Sequence, residues 1–310
     1  MTEFIRQFVM TTLVGFIPFL NTQQPDLVLT MSQDGTVTLQ ETARIVAMDH
    51  EPAPGPQKTG DSVGVEVGST SALLLDAGSG QVLWQKNPDQ VAPIASLTKL
   101  MSLQIVLDHE PDWNREYALQ PDENALIGAK LREPDGVPVR VENLFGSSLV
   151  GSANNATLAV ARATGLSDEQ FVAAMNAKAQ AWQLSRTRFL EPTGLNESNV
   201  STAREYARIA LEAFQKPRIR ALANQKYHEF TIAANNSHHK VTSTNKILDG
   251  YLQVVGTKTG FTYEAGYCLA TLVNSNGHEL LVVVLGNPSD EGRLTDTKAL
   301  VQWAENNFQW

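Results

Sequence analysis

Lys258, Thr259 and Gly260 form a triplet between two apolar, strand-like runs, where an ammonium and a hydroxyl fixed on a strand edge can hold a carboxylate. Upstream, Ser96-Leu97-Thr98-Lys99 offers a nucleophile and a base, and Ser152-Ala153-Asn154 offers a proton carrier and an amide. Each pattern recurs. Ser-x-x-Lys is found again at Ser237/Lys240 and Ser243/Lys246, Ser-x-Asn at Ser243/Asn245, and Lys-Thr-Gly at Lys58-Thr59-Gly60.

Context separates the copies. Ser96 and Lys99 lie in the first turn of an expected helix, and a spacing of three puts both side chains on one face. The helix start also favours developing negative charge. Ser237, His238, His239 and Lys240 fall in a polar stretch that reads as a solvated loop, and Ser243 follows it. Lys58 reads as linker, flanked by Pro56 and Gly60 with no strand beside it. The surviving trio runs from a helix start through an inter-helix turn to a late strand.

The chemistry of that trio is coherent. A serine hydroxyl is a poor nucleophile at neutral pH and needs an adjacent base. Lys99 can be that base if burial and a neighbouring cation, Lys258, lower its pKa. Ser152 would then relay the proton to the leaving group while Asn154 binds the substrate backbone. Backbone N–H groups of Ser96 and Phe261 would form the oxyanion hole.

Competing chemistries are thin. The histidines (His50, His109, His228, His238, His239, His278) form no His-Glu-x-x-His pattern, and no glycine loop of the phosphate-cradling type occurs. Neither a metal nor a cofactor is expected. The net charge of -9, with no basic stripe, disfavours nucleic acid as a partner. Cys268 is the lone cysteine, so no internal disulfide forms, and its strand-like setting reads as a small buried hydrophobe.

The elements that must position these residues follow from periodicity. Residues 1–20 hold an apolar run of export-signal length, Phe8 to Leu20, read as a signal or membrane anchor. Residues 21–70 read as a spacer, with a weak hairpin at Gln33-Asp34-Gly35 and a Pro-rich break at 52–56. The catalytic domain is expected over 71–310. A hairpin comes first, around Ala77-Gly78-Ser79-Gly80, followed by a mostly helical part over about 96–225. Helices are expected from Ser96 to Glu110, Ser167 to Leu184 and Thr202 to Phe214. Strands return at Tyr227–Ile232, Gln253–Thr257, Tyr267–Val273 and Leu280–Leu285, and a helix from Leu294 to Asn307 closes the chain. The fold class is α+β: one mostly antiparallel sheet that the chain leaves and rejoins, flanked by helices.

With these residues in hand, the chain resembles the penicillin-binding, active-site-serine D-alanyl-D-alanine peptidases, for which an S-x-x-K, S-D-N and K-T-G set is known; the second motif here is Ser152-Ala153-Asn154. The segments Pro93–Met101, Phe189–Leu195 with Ser201–Arg204, and Lys258–Thr262 with Ala265–Tyr267 are similar to that family's motif regions. The resemblance covers about Ser71 to Phe308. It implies a β-lactamase/transpeptidase-like fold with an inserted helical subdomain, and a Ser96 acyl-enzyme. It implies a substrate-binding strand of Lys258, Thr259, Gly260, Phe261 and Thr262.

The expected partners are peptidoglycan stem peptides or cross-links, with β-lactams as acylating inhibitors. The expected location is extracytoplasmic, with membrane association through the N-terminal segment. The short C-terminal end, with Met175–Ala179 and Thr187–Phe189, looks more like the single-domain endopeptidases than the carboxypeptidases. Endopeptidase and carboxypeptidase both stay open. So does a class A-like β-lactamase, because Glu191-Pro192-Thr193-Gly194-Leu195-Asn196 resembles the loop of its deacylating glutamate.

Overall fold

The computed structural model describes residues 53–310 and, before them, the backbone of one antiparallel hairpin, Leu27–Met31 with Val37–Glu41. The hairpin belongs to a first unit, residues 1–43, and the remainder to a second, residues 44–310. The expected apolar segment 1–20 and the turn at Gln33-Asp34-Gly35 lie outside the described residues. No helix among the described residues is long and apolar enough to cross a membrane.

In the second unit the chain enters the sheet through β1 (Ser71–Asp76) and β2 (Val82–Lys86). It then crosses a helical region: α1 (Thr98–Asp108), α2 (Val141–Val150), α3 (Asn154–Arg162), α4 (Asp168–Ala181) and α5 (Ala203–Gln215). A two-stranded ribbon follows, β3 (Tyr227–Thr231) with β4 (His238–Thr242). The chain returns to the sheet as β5 (Gln253–Thr262), β6 (Gly266–Ser275) and β7 (His278–Asn287), and ends in α6 (Asp290–Asn307). The strand order is β5-β6-β7-β1-β2, and every neighbouring pair is antiparallel. This is the expected α+β sheet that the chain leaves and rejoins.

The central strands are apolar at nearly every position because both faces are covered. In β1, Leu73 and Leu75 point into the core shared with the helical region, while Ala72 and Leu74 point into the core beneath α6. In β7 the same alternation divides Leu281, Val283 and Leu285 from Leu280, Val282 and Val284. The Asn276-Gly277 turn expected between β6 and β7 forms, with φ of 53° and 92°. Ser167 caps α4 in a capping box with Gln170, as its spacing predicts. The closing helix begins at Asp290, a turn before the expected Leu294, because the Ser289 hydroxyl accepts the Gly292 N–H.

Two readings are corrected. His238 and His239 are not a solvated loop pair: they open β4, and the His239 ring is partly buried, stacked on Phe230 and bonded to Glu133 at 2.5 Å. Val241 is the single apolar residue of the strand, so it lacks the hydrophobic alternation by which strands are read. Lys58 is not without a strand, since Gln57–Lys58 pairs antiparallel with Phe308–Gln309. Its partner lies at the opposite end of the chain, beyond the reach of any local pattern.

Residues 53–70, part of the expected spacer, lie against this sheet and helix. The N–H groups of Gly68 and Ser69 donate to the Asp296 carboxylate of α6 at 3.0 and 2.8 Å, and Val67 is buried.

Candidate active site

Ser96 sits in a single 3-10 turn, Ala95–Leu97, that leads directly into α1. Ala95 before it has φ 47°, a left-handed conformation that a non-glycine residue holds only under constraint. The constraint is visible. The buried Tyr206 hydroxyl of α5 donates to the Leu97 carbonyl at 2.8 Å. Gly194, itself at φ +84°, packs so closely that a Cβ there would lie 1.9 Å from the Ala95 carbonyl oxygen. A Cβ at Gly260 would meet the Ile94 carbonyl oxygen at 2.9 Å, so the triplet's glycine lets β5 approach the same turn.

Three residues on, in the first turn of α1, Lys99 is fully buried. Its Nζ lies 2.8 Å from Ser96 Oγ, 2.7 Å from Asn154 Oδ1 and 2.5 Å from the Thr193 carbonyl. Burial lowers its pKa to about 7, against a smaller opposing pull from the Glu191 carboxylate. In the neutral amine two N–H bonds can serve Asn154 and Thr193, leaving the lone pair to face the Ser96 hydroxyl. That is the geometry of a base on a nucleophile.

Ser152 lies in the turn between α2 and α3, at φ 56°, another left-handed position. Lys258 Nζ donates to its hydroxyl at 2.9 Å and to the Thr259 carbonyl at 2.9 Å. Lys258 is also buried, and its pKa falls well below that of an ordinary lysine, through desolvation first and then repulsion from Lys99 and Arg293. Asn154 is fixed at both ends of its side chain, accepting from Lys99 and donating to the Ile127 carbonyl at 2.7 Å.

The structure therefore brings Ser96, Lys99, Ser152, Asn154, Lys258, Thr259 and Gly260 to one cleft between the sheet edge and the helical region. Phe261 and Thr262 continue β5 along its rim, with Phe261 44% exposed and its ring tilted against Tyr267 at 4.3 Å. Cys268 is buried, and its thiol pKa rises to about 11.

Sequence reasoning missed three contributors. Arg293 of α6, nearly buried, donates from Nη1 to the carbonyls of Gly260 and Cys268 at 3.0 and 2.9 Å, tying β5 to β6 behind the cleft. Thr244, just beyond the polar stretch read as loop, places its hydroxyl 2.5 Å from that of Thr259. Tyr206 is the third. A single arginine, threonine or tyrosine in a helix or loop carries no local signal of such a role.

Glu191 has a different part from the one its loop resembles. Its oxygens accept from the N–H groups of Thr193, Gly194 and Asn196, from the Thr193 hydroxyl and from Asn199 Nδ2. It is the organiser of the loop that supplies the Thr193 carbonyl to Lys99, and its lone pairs are taken.

The fold is that of penicillin-binding enzymes. The Streptomyces K15 DD-transpeptidase superposes with a TM-score of 0.73 at 22% identity, covering 79% of this chain and 100% of that one. Penicillin-binding protein D2 from Listeria monocytogenes, in its ampicillin-bound form, superposes with a TM-score of 0.68 at 26% identity, covering 78% and 98%. A D-alanyl-D-alanine endopeptidase of Pseudomonas aeruginosa is 33% identical over 261 residues, 82% of each chain. Residues 57–289 match the family described as D-alanyl-D-alanine carboxypeptidase, and the chain belongs to that family of serine peptidases. It is a hydrolase of the D-Ala-D-Ala type, and the class A β-lactamase alternative is not favoured.

Proposed function

We propose that this chain is a D-alanyl-D-alanine endopeptidase that opens peptidoglycan cross-links through an acyl-enzyme on Ser96. The observation that carries the reading is the pair of buried lysine–serine contacts, Lys99 on Ser96 and Lys258 on Ser152, facing one cleft. Preference for the endopeptidase rests on the Pseudomonas relative, whose likeness spans most of both chains.

In this mechanism Ser96 Oγ attacks the D-Ala carbonyl carbon as its proton passes to Lys99 Nζ. The oxyanion is received by the N–H groups of Ser96 and Phe261. Asn154 and the β5 edge through Thr262 align the substrate backbone. Lys258, with the Thr259 hydroxyl, grips the carboxylate beside the scissile bond. Ser152 hands its proton to the leaving nitrogen and is reprotonated from the lysines, the C–N bond breaks, and water then hydrolyses the Ser96 ester. β-Lactams enter the same cleft and acylate Ser96; ampicillin bound to the Listeria protein supports this. The enzyme works in the cell envelope, with residues 1–20 directing export or anchoring.

Digestion of purified cross-linked and uncross-linked muropeptides, read by mass spectrometry, tests the reading. Conversion of dimers to monomers without release of D-Ala is expected. Release of D-Ala from monomers with dimers left intact would make the enzyme a carboxypeptidase instead. Loss of fluorescent-penicillin labelling in Ser96→Ala identifies the nucleophile.

A further inference from the structure

A second cavity lies beside the Ser152 loop. Gly151 and Ala153, the two neighbours of Ser152, line this cavity of about 440 Å³, whose other walls are the 128–132 segment and the His239–Thr242 edge of β4. Lys130, Arg132 and Lys240 all line it, in a protein whose net charge is -9. Lys240 is committed to its own ribbon, paired with Glu229 at 3.0 Å and lying over the Tyr227 ring. Lys130 and Arg132 are not so committed. Lys130 Nζ donates to a neutral backbone carbonyl, that of Asn124, at 2.9 Å, and Arg132 has no hydrogen bond or ion pair among the described residues.

The nearby acids, Asp135 and Glu133, are engaged elsewhere: Asp135 accepts from Asn124 Nδ2 at 2.8 Å. Glu133 turns its carboxylate onto Asn235 at 2.8 Å, Ser237 at 2.6 Å and His239 at 2.5 Å. His239, the remaining titratable group of the lining, is thereby already paired. A concave surface with two uncommitted cations suits an anion, and its position fixes which one. If Ser152 gives its proton to the leaving nitrogen, whatever trails that nitrogen departs past Ser152. Both residues beside Ser152 line the cavity.

We propose that this cavity receives the leaving strand of a cross-link, with Lys130 and Arg132 holding a carboxylate that the strand carries beyond the scissile bond. The inference rests on the endopeptidase reading and deepens it. A free D-Ala leaving group ends at the Lys258–Thr259 grip and has nothing to place here. A peptide leaving group continues, and bears at least its own C-terminal carboxylate.

The test compares wild type with the double variant Lys130→Glu/Arg132→Glu on two reactions. Both residues are exposed, so the variant keeps its fold. Cleavage of a purified cross-linked dimer should fall by about ten-fold or more in kcat/KM, chiefly through KM, as rim charges carry steering and modest binding energy. Acylation by a fluorescent penicillin, which has no second strand, should proceed at the wild-type rate. Amidating only the leaving strand's C-terminal carboxylate, with the carboxylate beside the scissile bond left free for Lys258 and Thr259, should lower wild-type cleavage to a similar extent and leave the variant insensitive, since the two changes remove one interaction. Undiminished dimer cleavage by the variant would overturn the subsite, and so would an equal loss in both reactions. A wild-type protein that penicillin fails to label would overturn the serine-peptidase reading itself, and the subsite with it.

Discussion

At the scale of single residues, the site works by denying water to two lysines. Lys99 and Lys258 are held in one cleft, and burial shifts both toward the neutral amine. For Lys99, with a pKa of about 7, the base is the deprotonated form, so its fraction grows as pH rises through that value. The second-order rate of Ser96 acylation by a fluorescent penicillin should therefore climb with a midpoint near pH 7 and fall away on the acid side. Lys99→Ala should lose about a hundred- to ten-thousand-fold in that rate, the usual worth of a positioned base. The ascending limb should vanish with it. A variant that keeps the wild-type profile would exclude Lys99 as the base.

At the scale of elements, Ser96, the proposed nucleophile, is aimed by collision as much as by bonding. Three segments meet at the Ala95–Leu97 turn: β5 through Gly260, the 190–199 loop through Gly194, and α5 through Tyr206. The loop is fastened further by Ser102 Oγ, which donates to the Pro192 carbonyl at 2.6 Å, and by Asn199 Nδ2, which donates to Thr98 Oγ1 at 3.2 Å. Gly194→Ala meets both a left-handed φ and the Ala95 backbone, which cannot yield as a flexible side chain would. The backbone strain alone costs about 1–3 kcal/mol, and displacement of the turn adds to it. We expect a lower melting temperature together with near-complete loss of penicillin acylation. Wild-type acylation in a folded Gly194→Ala protein would show that the close approach does not set the position of Ser96.

At the scale of the whole molecule, the sheet is clasped from behind by the segment that precedes it. The buried Asp296 carboxylate accepts from the Gly68 and Ser69 N–H groups, from Ser69 Oγ at 2.6 Å and from Asn287 Nδ2 at 2.8 Å. Asp296→Ala would leave these donors without their acceptor, at roughly 1–3 kcal/mol for each group left buried and unpaired. A fall of several degrees in melting temperature is expected at this size. Penicillin labelling below the transition should persist, because none of these groups lines the cleft. An unchanged unfolding curve would mean that residues 53–70 add nothing to the catalytic unit.

The sequence by itself determined the order of the chemistry. Ser96 and Lys99 are three residues apart at a helix start, and Lys258 lies on a strand with a hairpin after it. Both arrangements are local, set by helical spacing and by apolar runs, so the proposed nucleophile and base could be picked out, and the antiparallel sheet could be read directly. Only the tertiary structure decided what lies across the cleft from them. Arg293 behind β5, Thr244 on Thr259, Tyr206 on the Leu97 carbonyl and the partner of Lys58 all join residues far apart in the chain. The same holds for the polar ribbon at His238–Thr242, whose pairing carries no hydrophobic period. Such contacts are fixed by packing between elements, and no local spacing encodes them. Burial itself belongs to this second group: a lysine becomes a base near pH 7 only when the assembled fold has taken the water from around it.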